Sequence, residues 1–412
     1  MPKDLESFLA DCIGLRKPWE ICGVEGPSES ADGNIHVRIR VPPSVRLPCP
    51  GCGRMCACYD HSRERVWRST DISATYTYLH AEIPRTDCRT CGPLSVPVPW
   101  ARPGSRFTLM MEMMILALIM EMPQATAASM LHVNHKTVAA VARRHAAGII
   151  GMMDLRNVRR VGVDERSFNG RDMVSVFVDH GTKRVIYAVP GRGSEALASF
   201  AAFLEEHGGR AHAVTDFTCD FSSAYICGIK RHFKRARITA DRFHLVKMAN
   251  DALCRVKCGT YGLAVTRTKI EYALMAKAED LGEERRLMLS AVMEQNPQLD
   301  EAYKLKESLC SFYSMGDRET AERHLRSWAY VASHTKLRAF RALAGTVSAH
   351  AEIILNWFGS GLTNARLEGI NCLLNEVRRR ARGFRRIGNF IDMIYVVASR
   401  RRIDLHGRPR LR

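Results

Sequence analysis

Residues 158–189 read VRRVGVDERSFNGRDMVSVFVDHGTKRVIYAV, and this stretch decides the fold of the chain. It contains three short runs rich in β-branched and aromatic residues, separated by segments with Gly, Asn and Asp. Such runs are typical of β-strands joined by turns. Three successive strands are therefore predicted, at Val158–Asp164, Met173–Asp179 and Arg184–Val189.

The chain after residue 190 alternates between helix and strand patterns. Apolar residues at helical spacing predict a helix over Glu195–Glu206. A strand (Ala213–Cys219), a helix (from about Ser222 to Phe233) and a strand (Ala236–Ala240) are predicted next. The resulting order, βββαβαβ, is the ribonuclease H-like pattern, which predicts an α/β domain.

Carboxylates stand at or just beyond the ends of these strands. Asp164 ends the first buried strand, Asp220 follows the fourth strand, and Asp241 follows the last one. Asp216, inside the fourth strand, is a competitor for the role of Asp220. Adjacent strands would bring Asp164 and Asp220 together, and hard oxygen ligands of this kind hold Mg²⁺. The alternative is that each Asp caps a turn.

A further carboxylate, Glu368, lies on a strong helix predicted from about Leu362 into Arg380. One side of this helix is apolar, and a polar stripe runs along another side. The apolar side holds Leu367, Ile370, Leu374 and Val377, and the stripe holds Glu368, Asn371, Asn375, Arg378 and Arg382. A packed helix of this kind can add a third oxygen ligand, and two ions held in this way can cleave a phosphodiester.

Two C-x-x-C pairs, Cys49/Cys52 and Cys88/Cys91, predict a zinc site. Each pair is followed by Gly and forms a sharp turn, called a knuckle, that points two thiolates at one ion. Two knuckles together complete a tetrahedron of four thiolates. A closed site of four Cys ligands is structural, because it leaves no open position on the metal. Two unrelated buried or redox pairs are the alternative. The competing ligands Cys56, Cys58 and His61 rank lower, because neither of these Cys belongs to a C-x-x-C pair.

Residues 124–144 predict a helix-turn-helix, with helices over Gln124–Leu131 and His135–Arg144. Asn134 suits the N-cap of the second helix. The inner face would consist of Met130, Leu131, Val133, Val138 and Val141, and the side chains facing DNA would be His135, Lys136, Arg143 and Arg144. One position departs from the usual pattern, because His132 occupies the turn position that usually holds Gly. A helical linker or a dimer element is the alternative.

The composition favours a protein that binds a polyanion, most often nucleic acid, and a basic surface kept only for solubility is the alternative. The 412 residues include 61 Lys and Arg against 43 Asp and Glu, a net charge of +18 that favours a polyanionic partner. The N-terminus has no apolar segment of the signal-peptide type, and the apolar run from Leu109 to Met120 is too short to span a membrane and predicts a buried helix. Residues 376–412 hold 12 Arg and 3 acidic residues. In this predicted basic tail, Arg378, Arg379 and Arg382 are expected to contact phosphates, and a solvated helix face is the alternative.

These patterns predict a multidomain α+β protein of six segments. They are an N-terminal segment (1–48), a zinc-binding module (49–103), a helix-turn-helix domain (104–152), the first part of a ribonuclease H-like core (158–250), an all-helical insertion (251–360), and a last core helix with Glu368 and a basic C-terminal tail (361–412).

Several stretches together resemble the ISL-three family of bacterial insertion-sequence transposases over nearly the full length. They are the two Cys knuckles, Val98-Pro-Trp-Ala-Arg-Pro103, Val161-Gly-Val-Asp-Glu165, Cys219-Asp-Phe-Ser-Ser-Ala-Tyr225, Asp241-Arg-Phe-His-Leu-Val-Lys247, Leu362-Thr-Asn-Ala-Arg-Leu-Glu-Gly-Ile-Asn371 and Arg380-Ala-Arg-Gly-Phe384. The resemblance implies a metal-dependent DDE enzyme whose catalytic, magnesium-binding triad is Asp164, Asp220 and Glu368. It favours Asp220 over Asp216, and it makes Asp241 and His244 a D-x-x-H pair that supports the active site.

The resemblance also implies the reaction and its partners. The protein would bind the terminal inverted repeats of its element, cleave both ends with Mg²⁺ or Mn²⁺, and join the freed 3′-OH ends to target DNA. It would act as a homo-oligomer, at least a dimer, in the bacterial cytoplasm at the nucleoid. The alternative is a non-catalytic DNA-binding regulator derived from a transposase.

Overall fold

The computed structural model describes residues 5–261, 269–276 and 278–398, and it divides the chain into two compact units. Among the described residues, the first unit contains 5–144 and 380–382, and the second contains those from 145 to 379 and from 383 to 398. None of the helices in the described ranges is long and apolar enough to cross a membrane.

The first unit begins with a helix and nine short strands. These elements are α1 (Leu5–Cys12), β1 (Glu20–Glu25), β2 (Ile35–Arg40), β3 (Leu47–Pro48), β4 (Met55–Cys56), β5 (Cys58–His61), β6 (Arg65–Arg68), β7 (Thr77–Ala81), β8 (Pro84–Cys88) and β9 (Gly92–Ser95). The strands form three sheets, in the orders β1-β2-β7-β6, β3-β4 and β5-β8-β9. Trp19 and Trp67 pack edge-to-face on Trp100, with ring centroids 4.9 and 5.5 Å away, and these rings form much of the unit's buried core.

Three helices follow in the first part of the chain: α2 (Leu109–Glu121), α3 (Gln124–Met130) and α4 (His135–Gly151). The predicted helix over the apolar run after residue 108 is confirmed, and the Thr108 side chain caps it by accepting from the N–H of Met111. The carboxylate of Glu112 is buried on α2. It accepts from Ser105 Oγ at 2.7 Å and from Arg144 Nη2 at 2.9 Å, so it ties α4 to the segment before α2.

The second unit is built on a five-stranded sheet with the order β12-β11-β10-β13-β14. Its strands are β10 (Arg160–Ser167), β11 (Met173–Asp179), β12 (Arg184–Pro190), β13 (Asp216–Cys219) and β14 (Arg237–Ala240), and the helices among them are α5 (Ser194–Glu206) and α6 (Ser223–His232). β10, β11 and β12 are antiparallel, whereas β13 and β14 run parallel to β10. The predicted order of elements is confirmed. The prediction of a strand over Ala213–Cys219 was wrong at its start, where Ala211–Ala213 form a 3-10 turn.

Helices follow β14 without further strands in the described part of residues 242–360. They are α7 (Arg242–Tyr261), α8 (Lys269–Met275), α9 (Glu283–Glu294), α10 (Pro297–Ser311), α11 (Arg318–His334), α12 (Arg338–Ala349), α13 (Ala351–Leu355) and α14 (Trp357–Ser360). The chain leaves α14 through Gly361 in the left-handed region, at φ +61°. This conformation, which Gly adopts without steric cost, ends the helical region before the last two helices.

The last two described helices are α15 (Ala365–Arg380) and α16 (Ile387–Ala398). α15 begins three residues after the predicted start at Leu362. The expectation of a basic tail was wrong for residues 387–398, because α16 is apolar and buries Phe390, Met393 and Tyr395. The Tyr395 hydroxyl accepts from the backbone N–H of Ala188 at 3.0 Å, so α16 covers the edge strand β12. Residues 399–412 lie outside the described residues.

Candidate functional site

Asp164 lies on β10, and Asp220 directly follows β13, the neighbouring strand that runs parallel to β10. Gly162 on β10 is paired with Thr218 on β13, and each of the two carboxylates comes two residues after this pair. The negative charge of Asp220 contributes to raising the pKa of Asp164, which agrees with this proximity. The sheet therefore brings together two of the predicted acidic residues.

Donors surround the Asp164 carboxylate, which is 8% exposed. Its Oδ1 accepts from the backbone N–H of Glu165 at 2.9 Å. Its Oδ2 accepts from Asn371 Nδ2 at 2.7 Å and lies 3.3 Å from Arg166 Nη2. Burial raises the pKa of Asp164 above its usual range, although the charge of Arg166 opposes the shift. A bound cation would favour the ionised form of this carboxylate.

Asp220 stands at the entry to α6, where its Oδ1 accepts from the backbone N–H of Ser222 at 2.9 Å. A third carboxylate, Glu165, is near it. Burial raises the pKa of Glu165, and the charge of Asp220 raises it further. Glu165 was not singled out from the sequence, although it directly follows Asp164.

Asp216, the competitor of Asp220, lies at the opposite end of β13. It is paired with Arg160 on β10. Arg160 comes four residues before Asp164, so the two positions are about 13 Å apart along this strand. Asp216 Oδ1 accepts from Arg237 Nε at 2.9 Å and Nη2 at 2.6 Å. Asp216 is therefore engaged in an ion pair away from the end of the sheet that carries Asp164.

Asp241 and His244 form a hydrogen-bonded pair beside the two carboxylates. His244 Nδ1 lies 3.0 Å from Asp241 Oδ2, and Asp241 is 1% exposed. Burial alone would lower the pKa of His244, but the hydrogen bond to Asp241 and the charges of Asp241 and Asp164 outweigh it and raise this pKa. The other oxygen of Asp241 accepts from the backbone N–H of Asn364 at 3.1 Å.

Glu368 lies on α15, and its side chain is outside the described residues. The same helix presents Ile370, Leu374 and Val377 to the core, as predicted. The side chain of Leu367 is also outside the described residues. From the predicted polar stripe, Asn371 binds Asp164, and Arg378 Nη1 donates to the carbonyl oxygen of Ser167 at 2.8 Å. α15 is therefore bound to β10 through polar contacts as well as through its apolar side.

A buried polar network lies under this site. The hydroxyl of Thr218 accepts from His180 Nε2 at 2.7 Å and donates to Asn364 Oδ1. Gly162 leaves room for these groups. An added Cβ at this position would lie 2.8 Å from Asn364 Oδ1 and 2.9 Å from both His180 Nε2 and Thr218 Oγ1. The network joins the sheet to the segment that leads into α15.

This close packing predicts that Gly162→Ala destabilises the second unit by about 1–3 kcal/mol, because the buried Thr218 and Asn364 and the half-buried His180 must move apart. The free energy of unfolding in urea measures the effect. Gly345→Ala on α12 is the matched control, since no heavy atom lies within 4 Å of its added Cβ. Ala in an exposed helix position is more stable than Gly by about 0.5–1 kcal/mol, so the control should have the opposite sign. Equal changes in the free energy of unfolding for Gly162→Ala and Gly345→Ala would contradict the close packing at Gly162.

The donor set at the sheet edge fits a hard divalent cation. The carboxylates of Asp164 and Asp220 are oxygen ligands of the type that Mg²⁺ and Mn²⁺ prefer. The Oδ1 atom of Asn371, the residue bound to Asp164, is buried and has no hydrogen-bond partner within the described residues.

The four thiols of Cys49, Cys52, Cys88 and Cys91 come together, with all four sulfur atoms within 4.8 Å of one another. The Sγ atoms of Cys52 and Cys88 are 3.6 Å apart, close to the edge of about 3.8 Å in a tetrahedron with Zn–S bonds of about 2.3 Å. Backbone N–H groups of Cys91 and Thr90 lower the pKa of Cys88 to about 6, which favours a thiolate. The cluster supports a structural zinc ion.

The glycines that follow the two knuckles explain how the chain turns there. Gly53 and Gly92 have φ values of +75° and +72°, a region that Gly adopts without the Cβ clash of other residues. The competing ligands Cys56, Cys58 and His61 are not part of the four-thiol cluster.

The helix-turn-helix geometry agrees with the prediction in the turn. Asn134 Oδ1 accepts from the N–H of Lys136 at 2.8 Å, which is the predicted N-cap. His132 adopts φ +51°, the conformation for which Gly is usual at this position. Leu131, Val138 and Val141 are buried as predicted, but Met130 is 58% exposed, so its assignment to the inner face was wrong. α3 ends at Met130, whose side chain is left exposed.

The side chains predicted to face DNA differ in their surroundings. His135, Lys136 and Arg143 are exposed on α4. Arg144 is half-buried and held by the Glu112 carboxylate. In the C-terminal part, Arg379 and Arg382 are exposed, and Arg378 is half-buried.

Comparison with known families assigns three parts of the chain. Residues 46–91 match the zinc-finger of transposase IS204/IS1001/IS1096/IS1165, and residues 96–146 match the helix-turn-helix domain of transposase family ISL3. Residues 161–394 match the DDE transposase domain of ISL3, described as a transposase.

Full-length relatives agree with these matches. The chain is 28% identical over 429 aligned positions to the transposase for insertion sequence element IS1557 of two Mycobacterium tuberculosis strains, CDC 1551 and H37Rv, with 96% of each chain covered. It is 22% identical over 392 positions to the transposase for insertion sequence element IS1001 of Bordetella parapertussis, with 92% of this chain and 95% of the relative covered.

Two carboxylates at the ends of neighbouring strands, on the same chain as a four-thiol cluster and a helix-turn-helix, fit a DNA-processing enzyme. The DDE match covers more than half of the chain, and the chain therefore belongs to the ISL3 family of transposases, the ISL-three family named above. It is a transposase, an enzyme that cleaves DNA and transfers strands.

Proposed function

We propose that the second unit is a ribonuclease H-like catalytic domain interrupted by an all-helical insertion, with Asp164, Asp220 and Glu368 as its catalytic triad. Support comes from the sheet, in which three antiparallel strands are followed by two parallel ones, and from helices α7–α14 between β14 and α15. The observation that carries the proposal is that Asp164 and Asp220 each come two residues after the paired Gly162 and Thr218. Asn371 of α15 is also bound to Asp164. Positions 368 and 371 share one helix face.

The three carboxylates would hold Mg²⁺ or Mn²⁺, which would activate water and stabilise the leaving oxygen at phosphorus. The buried Asp164 is held by its donors in one orientation, which favours in-line attack because reacting groups are positioned in advance. Asp241 holds His244 beside the carboxylates, where the imidazole can orient the site or contact a phosphate. Hydrolysis at each element end frees a 3′-OH, and this hydroxyl then displaces a phosphodiester oxygen of the target DNA.

The first unit would recognise the terminal inverted repeats through the zinc module and the helix-turn-helix. Three exposed side chains of α4, those of His135, Lys136 and Arg143, are available to enter a groove of the DNA. Arg144 would contribute less to DNA contact, because Glu112 engages its guanidinium group. Pairing of two element ends requires two active sites, so we propose at least a homodimer that acts at the nucleoid.

The direct test is cleavage of DNA by the purified full-length chain. The substrate is a duplex that carries the inverted repeats found beside the gene, with Mg²⁺ or Mn²⁺ in the buffer. We expect cuts at the repeat ends and joined products with target DNA, and neither in EDTA. Binding to the repeats without any cleavage in either metal would favour a DNA-binding regulator instead.

The exposed arginines after the Glu368 helix are proposed to contact phosphates. Replacing Arg379 and Arg382 by Gln should reduce the slope of log K against log salt by up to about 0.9 for each lost phosphate contact. Adding Arg378→Gln should change the slope less per residue, because its guanidinium already donates to Ser167. Binding is measured between 50 and 200 mM salt, a range over which such contacts have large effects.

Arg326→Gln on α11 is the matched control for this series. Arg326 is an exposed arginine in an ion pair with Glu322, and its loss should leave the slope unchanged. A slope that stays at the wild-type value after both Arg379→Gln and Arg382→Gln would refute the phosphate contacts.

A further inference from the structure

The side chain of Asn371 lies next to one of the proposed metal ligands and is not explained by the triad. It is on α15, is 2% exposed, and donates from Nδ2 to Asp164 Oδ2 at 2.7 Å. An ionised carboxylate only accepts hydrogen bonds, so the amide nitrogen must face Asp164 and the amide oxygen must face the other way. The orientation of the amide therefore follows from chemistry.

The Oδ1 atom of Asn371 is buried without a hydrogen-bond partner among the described residues. Buried polar atoms in folded proteins nearly always have a partner, which is often an ordered water. Leaving this oxygen unpaired costs free energy, so an apolar side chain of the same shape would serve a purely structural role better. The contact that the other end of the amide makes with Asp164 explains why Asn occupies the position.

We propose that Asn371 is a positioning residue, which holds Asp164 in its metal-binding orientation. The inference rests on the proposed function of Asp164. Groups that orient metal ligands in this way typically change metal affinity by 10–100-fold when they are removed. Asn371 acts through Asp164, so it is not a metal ligand itself.

Other groups at Asp164 do not replace this contact. The N–H of Glu165 is bound to the other oxygen, and Arg166 Nη2 is 3.3 Å from Oδ2, farther than Asn371. Asn371 also belongs to the helix that carries Glu368, one turn later. Its hydrogen bond therefore adds to the contacts between this helix and β10, and it fixes the rotation of the carboxylate.

The test is Mn²⁺ binding to the full-length protein without DNA, measured by the EPR signal of free Mn²⁺. Asn371→Leu fills the same space without a donor and should raise the Kd for Mn²⁺ by 10–100-fold. Asn371→Ala leaves room for a water that can donate to Asp164, and its effect should be smaller. The Mg²⁺ concentration for half-maximal end cleavage should rise by the same factors, while the rate at saturating Mg²⁺ changes much less.

Asn375→Ala, an exposed Asn one turn later on the same helix, is the matched control and should keep the wild-type Kd. If Asn371→Leu and Asn371→Ala fold, as judged by thermal melting, and bind Mn²⁺ like the control, the inference is wrong. It is also wrong if both fail to fold while the control folds, since the role of Asn371 is then purely structural. Asp164→Ala separates the two proposals: if it binds Mn²⁺ like wild type, the proposed metal site itself fails.

Discussion

Replacing Asp220 by Ala should abolish cleavage of the inverted-repeat ends, and Asp164→Ala and Glu368→Gln should do the same. Removing one carboxylate leaves too few ligands to hold ions at both the attacking and the leaving oxygen. We expect the three residues to act as a unit, so that a double variant is little worse than a single one. Cleavage and strand transfer are measured on the same duplex in Mg²⁺ and in Mn²⁺.

Binding to the inverted repeats provides the control for folding, because that function is assigned to the first unit. The matched variant is Asp216→Ala, at the start of the strand that Asp220 follows, in an ion pair with Arg237. It should keep end cleavage, although the loss of the pair lowers its melting temperature. Near-wild-type cleavage by Asp220→Ala, or cleavage lost in Asp216→Ala and kept in Asp220→Ala, would overturn the assignment.

Cys49→Ser should lower the zinc content and unfold the module that contains the four thiols. Three remaining ligands bind zinc more weakly, and in such sites the free energy of metal binding contributes directly to folding. The small sheets around the cluster have little other core, since Cys49, Cys56 and Cys88 are its buried residues. Zinc per chain is measured by metal analysis, and folding of the module by limited proteolysis.

Cys58→Ser is the matched control for zinc. Cys58 lies on β5, near the cluster but outside it, so its loss should leave one zinc ion per chain. Binding to the inverted repeats should fall with Cys49→Ser and not with Cys58→Ser. Full zinc retention in a Cys49/Cys88 double variant would contradict the predicted site.

Local chemical patterns made much of the fold predictable. Alternating and β-branched runs revealed β10, β11 and β12 within a few residues, because their side chains lie on a buried sheet. The knuckles were predictable since four thiols in two C-x-x-C pairs have few other uses in a reducing compartment. The N-cap at Asn134 was also local, because its side chain satisfies an N–H only two residues away.

What the sequence did not reveal depends on tertiary contacts. α16 was overlooked because the count of arginines in residues 376–412 concealed an apolar helix between two basic stretches. Met130 has the right period for the inner face, but α3 ends there and nothing covers its side chain in the described part of the chain. The contact of Asn371 with Asp164 joins residues 207 positions apart, which no local pattern encodes.

The bond between Tyr395 and Ala188 also spans 207 positions, so the edge of the sheet and the acidic site are both completed by the last part of the chain. Such distant contacts form late in folding. The entropy of closing a long loop is lost before the contacts contribute any favourable free energy. During synthesis, β10–β14 can pair while α15 and α16 are still missing. A transposase truncated before residue 365 would thus keep its DNA-recognition modules and lack α15, the helix that carries Glu368 and Asn371 of the proposed cutting site.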